Sequence, residues 1–234
     1  MIDGVGAATL EALALLGRGD AAIWGIVWVS IKTSVLALAL CAAPAIGAGY
    51  LIASRRFRLR RALIVVVQSS LSIPTVLIGL LLYLLFTRQG PLGTLDLLFA
   101  QGGMVVGQAV LGFPIIVAFV LAAVQGADPR LAETAAALGA GRIRVLWTVL
   151  RELRFAVLAA LATGFGRVIS EVGCALMIGG NIEGLTRTMT TAIALQTSKG
   201  EFAQGIAIGI VLLMLALAIN ALVATLQGIE RDAG

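Results

Sequence analysis

Long apolar runs alternate with short basic connections along the chain. Five segments, roughly 33–53, 63–86, 103–124, 155–179 and 204–227, stay apolar over about the 20 residues that a membrane-spanning helix needs. Residues 21–29 are apolar too and lead into the first segment. That helix is therefore expected to begin near Asp20, a suitable N-cap, and to project beyond the bilayer. Within it, Pro44, Gly47 and Gly49 predict a kink and close helix packing. The earlier stretch 4–16 is rich in Ala and Leu but short for a span; an interfacial helix is the expectation and a tilted sixth span the alternative. The pattern predicts an all-α membrane protein with five transmembrane helices and a sixth left open. It divides into a short N-terminal piece over 1–20 and a single transmembrane domain over 21–234 that carries a cytoplasmic loop over 125–154.

Composition agrees. Of 234 residues, 60% are hydrophobic and 12% charged, and the mean hydropathy is +1.05, so the bilayer is the expected solvent. Histidine is absent, and Cys41 and Cys174 lie inside apolar runs with no CxxC or Cys/His spacing, so no metal site is expected and both cysteines read as small packing residues. The start, with Asp3 and Glu11 and no basic segment, does not resemble a cleavable signal peptide.

Charge sets the expected orientation, because basic residues of short loops stay on the cytoplasmic side. Arg55, Arg56, Arg58, Arg60 and Arg61 follow the first span, five more arginines lie between the third and fourth, and Arg231 follows the fifth: eleven of the 17 Lys and Arg. The alternate connections hold only Arg18, Arg88, Arg187 and Lys199. The N-terminus is thus expected outside and the C-terminus in the cytoplasm. This asymmetry accounts for the net charge of +5, and no nucleic-acid partner is needed to explain it.

The loop over 128–154 reads DPRLAETAAALGAGRIRVLWTVLRELR and predicts two short helices around a turn. Asp128 followed by Pro129 is an N-cap with proline at the first helical position. Leu131, Ala135 and Leu138 recur at helical spacing, Gly139 and Gly141 permit a reversal, and a second helix is expected from about Arg142. The run 134–137 has only small side chains, which suits a flat face inserted into a partner's groove. An amphipathic interfacial hairpin held by arginine snorkelling is the other reading.

The stretch ETAAALGAGR over 133–142 resembles the EAA loop of type I ATP-binding-cassette (ABC) importer permeases, with Glu133, Ala135 and Gly139 in the matching places. It departs from the family at Thr134, where alanine is usual, and at Arg151 and Glu152, where Leu-Pro generally precedes the next span. Ile73-Pro74-Thr75 to Gly79, Arg88 to Gly93, Gly166 to Gly173 and Gly179 to Thr188 are, in this order, similar to the molybdate and tungstate branch, and Ile169 to Gly173 with Met189 to Ile193 looks closer to the tungstate permeases. The resemblance covers most of the chain from about Trp28. It implies a type I permease fold in the cytoplasmic membrane of a bacterium or archaeon, acting as a homodimer that imports a tetrahedral oxyanion, tungstate or molybdate. It also implies a cytoplasmic pair of ABC ATPase subunits carrying ATP and Mg, an external oxyanion-binding protein, and a coupling helix that docks on the ATPase through Glu133, Thr134, Ala135, Ala136, Leu138, Gly139, Ala140, Gly141 and Arg142. The chain itself has no GxxxxGK[ST] signature, so no cofactor or covalent catalysis is assigned to it.

Few polar residues lie within the spans. Arg167 and Glu171 are one helical turn apart, and an intramembrane charge costs at least about 2.5–3.5 kcal/mol, so the two are expected to pair and to face the bundle interior. The pair reads either as a remade gate contact or as fixed packing between spans. Ser69, Ser70, Ser72 and Thr75 around Pro74, and Thr186, Thr188, Thr190 and Thr191 around an exposed Arg187, offer donors suited to a hydrated dianion without trapping it. Satisfaction of a proline-broken backbone and an ordinary solvated loop are their alternative readings. A self-sufficient channel or ion-coupled carrier is the rival function, but it would show more midplane ionisable groups. A membrane enzyme would need a nucleophile, metal ligands or paired carboxylates, which this histidine-free sequence does not assemble.

Overall fold

A computed structural model describes the backbone of residues 2–232 and the side chains of residues 8–225. Eleven α-helices make up the described chain: α1 (Ile2–Gly17), α2 (Ala21–Ser54), α3 (Arg60–Ser70), α4 (Thr75–Phe86), α5 (Gln101–Gly126), α6 (Arg130–Ala137), α7 (Arg142–Glu152), α8 (Arg154–Ile169), α9 (Gly173–Gly179), α10 (Met189–Lys199) and α11 (Phe202–Asp232), with a 3-10 turn at Gly93–Leu95. The helix α2 starts where Asp20 accepts hydrogen bonds from the backbone N–H groups of Ala22 (2.8 Å) and Ile23 (3.3 Å). Its 34 residues extend about 51 Å at 1.5 Å per residue, well beyond the hydrocarbon core, as expected.

Among the described residues three helices, α2, α5 and α11, are long and apolar enough to cross a membrane unbroken. The other two expected spans are interrupted. The segment 63–86 divides into α3 and α4, which meet at 99°, and 155–179 divides into α8 and α9, which meet at 60°. The first break follows from Pro74, which has no N–H to continue the ladder and restricts the residue before it. The second falls at Ser170, Glu171 and Val172, where the Glu171 carboxylate takes the backbone N–H of Cys174. The N-terminal α1 has 16 residues, about 24 Å, and buries Ala12 with Ile208 of α11 and Ile23 of α2 in a common cluster.

One core cluster lies between α2, α5 and α8, where Ala37, Cys41 and Ala45 pack with Ile116, Val117, Val120 and Ala160. At Gly49 the contact is so close that a Cβ would sit 2.9 Å from the Val117 carbonyl oxygen; Gly47, by contrast, faces open space and does not mediate packing. Cys174 lies in a separate cluster with Phe86, Leu111 and Ile178, and both cysteines are free. The half-spans α4 and α9 run against each other with a Gly79 Cβ position only 2.9 Å from the Cys174 Cα, which excludes any larger residue. In the most apolar stretch of α11 only 11% of residues are buried, so this helix presents most of its surface to its surroundings.

Candidate functional site

The hairpin α6–α7 is built as its sequence predicts. The Asp128 carboxylate accepts from the Arg130 N–H (2.9 Å), and Pro129 already has helical dihedrals (φ −54°, ψ −28°). The far end of α6 closes through two bonds, Gly139 N–H to the Ala136 carbonyl (3.0 Å) and Ala140 N–H to the Ala135 carbonyl (3.1 Å), with Gly139 at φ +82°. This is the Schellman arrangement, which needs a left-handed residue at that point. After it α7 runs almost directly into α8, interrupted only at Leu153, so the absence of a proline at the entry to the fourth span leaves a near-continuous path.

The expected flat face over 134–137 is not present as such. Ala135 is buried, while Thr134, Ala136 and Ala137 are exposed, because at 3.6 residues per turn four consecutive residues surround the helix. Glu133 is exposed as well, and Leu138 (83% exposed), Ile143 (74%) and Trp147 (67%) add large apolar side chains to the free surface of the hairpin. Ala136, Ala140 and Arg142 have another neighbour: they line a cleft of about 750 Å³ together with Tyr50, Arg55 and Arg56 at the end of α2.

The break between α8 and α9 is organised by Glu171. One carboxylate oxygen receives the Arg167 guanidinium at 2.8 Å; the other accepts the backbone N–H of Cys174 at 3.0 Å, capping α9. The Glu171 side chain is 2% exposed and that of Arg167 is 43% exposed. The expectation of an inward-facing pair therefore holds for the carboxylate, whereas the guanidinium reaches the surface of the single chain, its long stem allowing the charge to leave the interior. The Glu171 carbonyl accepts in turn from the Thr190 hydroxyl at 2.6 Å.

Thr188 and Thr191 form a reciprocal capping box at the start of α10, and Thr190 lies 3.1 Å from the Thr188 hydroxyl. Thr186 accepts from the Ile182 N–H (2.9 Å) and donates to the Gly179 carbonyl. All four threonines are buried with their hydroxyls satisfied inside the fold. Arg187 is not the exposed guanidinium the sequence suggests: its side chain is 14% exposed and pairs with Glu183 at 3.2 Å, because the turns around Gly180 and Gly184 fold its loop back onto α2. Beside it, Lys32 donates to Gln101 (2.9 Å) and Gln101 to the Leu185 carbonyl (2.7 Å), and a cavity of about 370 Å³ lies between Trp28, Gln101 and Arg187. At the other break Ser70 donates to the Val67 carbonyl (2.6 Å), Ser69 and Ser72 are exposed, and Thr75 opens α4.

The sequence reading missed Ser30, whose buried hydroxyl accepts the Met189 N–H at 2.7 Å and ties α10 to α2. No local pattern signals a contact over 159 positions. The capping role of Glu171 had a signal, since a carboxylate three residues before the Cys174 N–H with Gly173 between them suits a helix start.

Residues 45–229 match the family described as binding-protein-dependent transport system inner membrane component. The chain belongs to this family. This permease is 37% identical over 216 residues to the tungstate uptake system permease protein TupB of Peptoclostridium acidaminophilum, covering 92% of this chain and 95% of that protein. It is 35% identical over 210 residues to TupB of Campylobacter jejuni (90% and 88% covered), and 31% identical over 188 residues to the molybdenum transport system permease protein ModB of Escherichia coli K12 (76% and 82%). A solved structure of the MetNI methionine ABC transporter in an inward-facing conformation shares the fold, with a TM-score of 0.67 at 17% identity over 92% of this chain and 95% of that one. The permease is therefore a multi-pass inner-membrane transport subunit rather than an enzyme, and its family implies ATPase and substrate-binding partners.

Proposed function

We propose that this permease is the transmembrane subunit of an ATP-driven importer for a tetrahedral oxyanion, tungstate, with molybdate as the alternative cargo of the same mechanism. The observation that carries the reading is similarity of 37% and 35% to two tungstate permeases over about nine-tenths of the chain, against 31% over about three-quarters for a molybdenum permease. Two copies form a homodimer with the pathway along the two-fold axis, an external binding protein delivers the anion, and a pair of ATPase subunits holding ATP and Mg docks on the hairpin α6–α7.

The geometry bears on the docking surface, the sidedness and the pathway. Leu138, Ile143 and Trp147 give the hairpin an apolar surface without a partner in the chain, flanked by Glu133 and Thr134, which suits a protein groove. Arg55, Arg56 and Arg142 come from separate connections yet share one cleft, which favours a single cytoplasmic end, an outside N-terminus and an inside C-terminus. The side chain of Arg231 lies outside the described residues. Ser69, Ser72 and Thr75 at one break, and Arg187 at the other end of α2, are pathway candidates; Thr188, Thr190 and Thr191 reach cargo only when their network opens, so their place is at a gate with Glu171.

The test is reconstitution. Vesicles holding the permease, its ATPase and its binding protein are expected to accumulate tungstate only with ATP, and calorimetry on the binding protein ranks tungstate against molybdate. Uptake without the ATPase would overturn the reading in favour of a channel or ion-coupled carrier.

A further inference from the structure

The C-terminal end of α2 separates two clefts. One, about 750 Å³, is lined by Tyr50, Ser54, Arg55, Arg56 and Arg142 together with apolar residues of α2 and the hairpin. The other, about 610 Å³, shares Leu51, Arg55 and Arg56 with the first and is otherwise apolar, lined by Ile52, Phe57 and Leu63. Arg60 is occupied, donating to the Ile52 carbonyl at 2.9 Å and the Ala53 carbonyl at 3.3 Å, where it closes the end of α2. No such partner holds the other three: among the described residues the ion pairs are those of Arg167 and Arg187, and no carboxylate reaches Arg55, Arg56 or Arg142.

Three unneutralised guanidiniums beside an apolar slot, where a spanning helix leaves the bilayer, match one chemistry: an anionic head on a hydrocarbon tail. Guanidiniums bind phosphate oxygens in a fork geometry, and basic pockets at the cytoplasmic ends of spans attract acidic head groups. We propose that the two clefts form one site for an anionic phospholipid, its phosphate between Arg55, Arg56 and Arg142 and its acyl chain against Leu51, Ile52, Phe57 and Leu63. Because Arg142 belongs to the hairpin and Arg55 is the residue that ends α2, the bound head group ties the hairpin to the spanning helix. This goes beyond the transport reading and does not depend on which anion is carried.

The experiment uses the full chain, delipidated in mild detergent and titrated with phosphatidylglycerol or phosphatidylcholine, with bound lipid counted by native mass spectrometry. The wild-type chain is expected to prefer phosphatidylglycerol; at about fivefold per arginine, three contribute about a hundredfold. The variant with Arg55→Gln, Arg56→Gln and Arg142→Gln should lose that preference. A variant with Arg58→Gln, Arg61→Gln and Arg144→Gln removes the same charge away from the clefts and should keep it. Equal loss in both variants would reduce the effect to general surface charge and overturn the site. Equal binding of the two lipids by the wild-type chain, a measurement that needs no variant, overturns it as well. Displacement of bound phosphatidylglycerol by inorganic phosphate or tungstate alone would show that the arginines hold a free oxyanion instead, and would overturn the lipid.

Discussion

The Thr190 hydroxyl donates to the backbone carbonyl of Glu171 at 2.6 Å, joining the start of α10 to the break between α8 and α9. The same Glu171 caps α9 through Cys174 and receives Arg167 on its other oxygen. One residue thus fixes the direction of a half-span, the approach of α10 and the position of a surface guanidinium. A broken span can be tolerated at membrane depth only where its freed backbone groups find partners, and here Glu171 and Thr190 supply two of them.

The pair Arg167 and Glu171 is accordingly asymmetric. Glu171→Ala removes a buried acceptor and leaves the Cys174 N–H without its partner, at a cost of about 1–3 kcal/mol. Arg167→Ala instead leaves a carboxylate that is 2% exposed without its counter-charge, a loss of up to about 3–5 kcal/mol. Glu171→Gln keeps an acceptor for the cap and should fall between wild type and Glu171→Ala. Thermal unfolding in detergent checks the order, and the double variant with Arg167→Ala should lie close to Glu171→Ala alone. Equal losses for the two single alanine variants would contradict the asymmetry.

Gly139 makes a separate demand. A Cβ there would meet nothing within 4 Å, so the effect of substitution is confined to the backbone at φ +82°. A left-handed conformation costs about 1–2 kcal/mol for an ordinary L-residue and more for a β-branched one, whereas asparagine tolerates it. Gly139→Val is expected to distort the reversal and to lower anion-stimulated ATP hydrolysis in reconstituted vesicles, with Gly139→Asn close to wild type. Unchanged stimulation in the valine variant would remove the hairpin from the coupling path.

Much of this architecture is legible in the sequence because the bilayer simplifies the code. Apolar length locates the spans, arginine placement suggests sidedness, and Asp20, Asp128 and Gly139 mark helix ends with local chemistry that the structure reproduces. Harder to read are features set by distant partners. Ser30 meets Met189 only after α10 folds back, and Arg187 becomes half-buried only because Gly180 and Gly184 bend its loop. The threonines of 186–191 read as cargo donors when viewed as composition; in three dimensions their hydroxyls are already engaged. The small residues of 134–137 read as one face because their sizes match, yet helical geometry distributes them around the axis.

That distribution changes where the docking test belongs. Ala135 is buried, so Ala135→Trp would disrupt the hairpin itself and leave the cause of any lost transport ambiguous. Leu138, 83% exposed, is the cleaner position. Leu138→Glu should leave stability within about 0.5 kcal/mol of wild type, as is usual for surface changes. Co-purification with the ATPase should nevertheless fall, since a carboxylate enters an apolar contact. Ile143→Glu and Trp147→Glu are expected to behave alike. Full ATPase assembly in all three would place the docking surface elsewhere.

Sidedness is tested by reporters fused along the chain. Arg55, Arg56 and Arg142 line one cleft, so fusions after Arg60 and after Arg142 must report the same side, and the arginine excess makes that side the cytoplasm. Fusions within 88–101 and 183–200 are expected to report the exterior. The 99° angle between α3 and α4 sharpens the comparison. A broken span delivers 88–101 to the side opposite Arg60, whereas a re-entrant loop returns it to the same side. An exterior signal from 88–101 together with a cytoplasmic one after Arg142 requires both α3–α4 and α5 to cross. A cytoplasmic signal from 88–101 would make α3–α4 re-entrant. A cytoplasmic signal at Arg187 would remove the five-span topology.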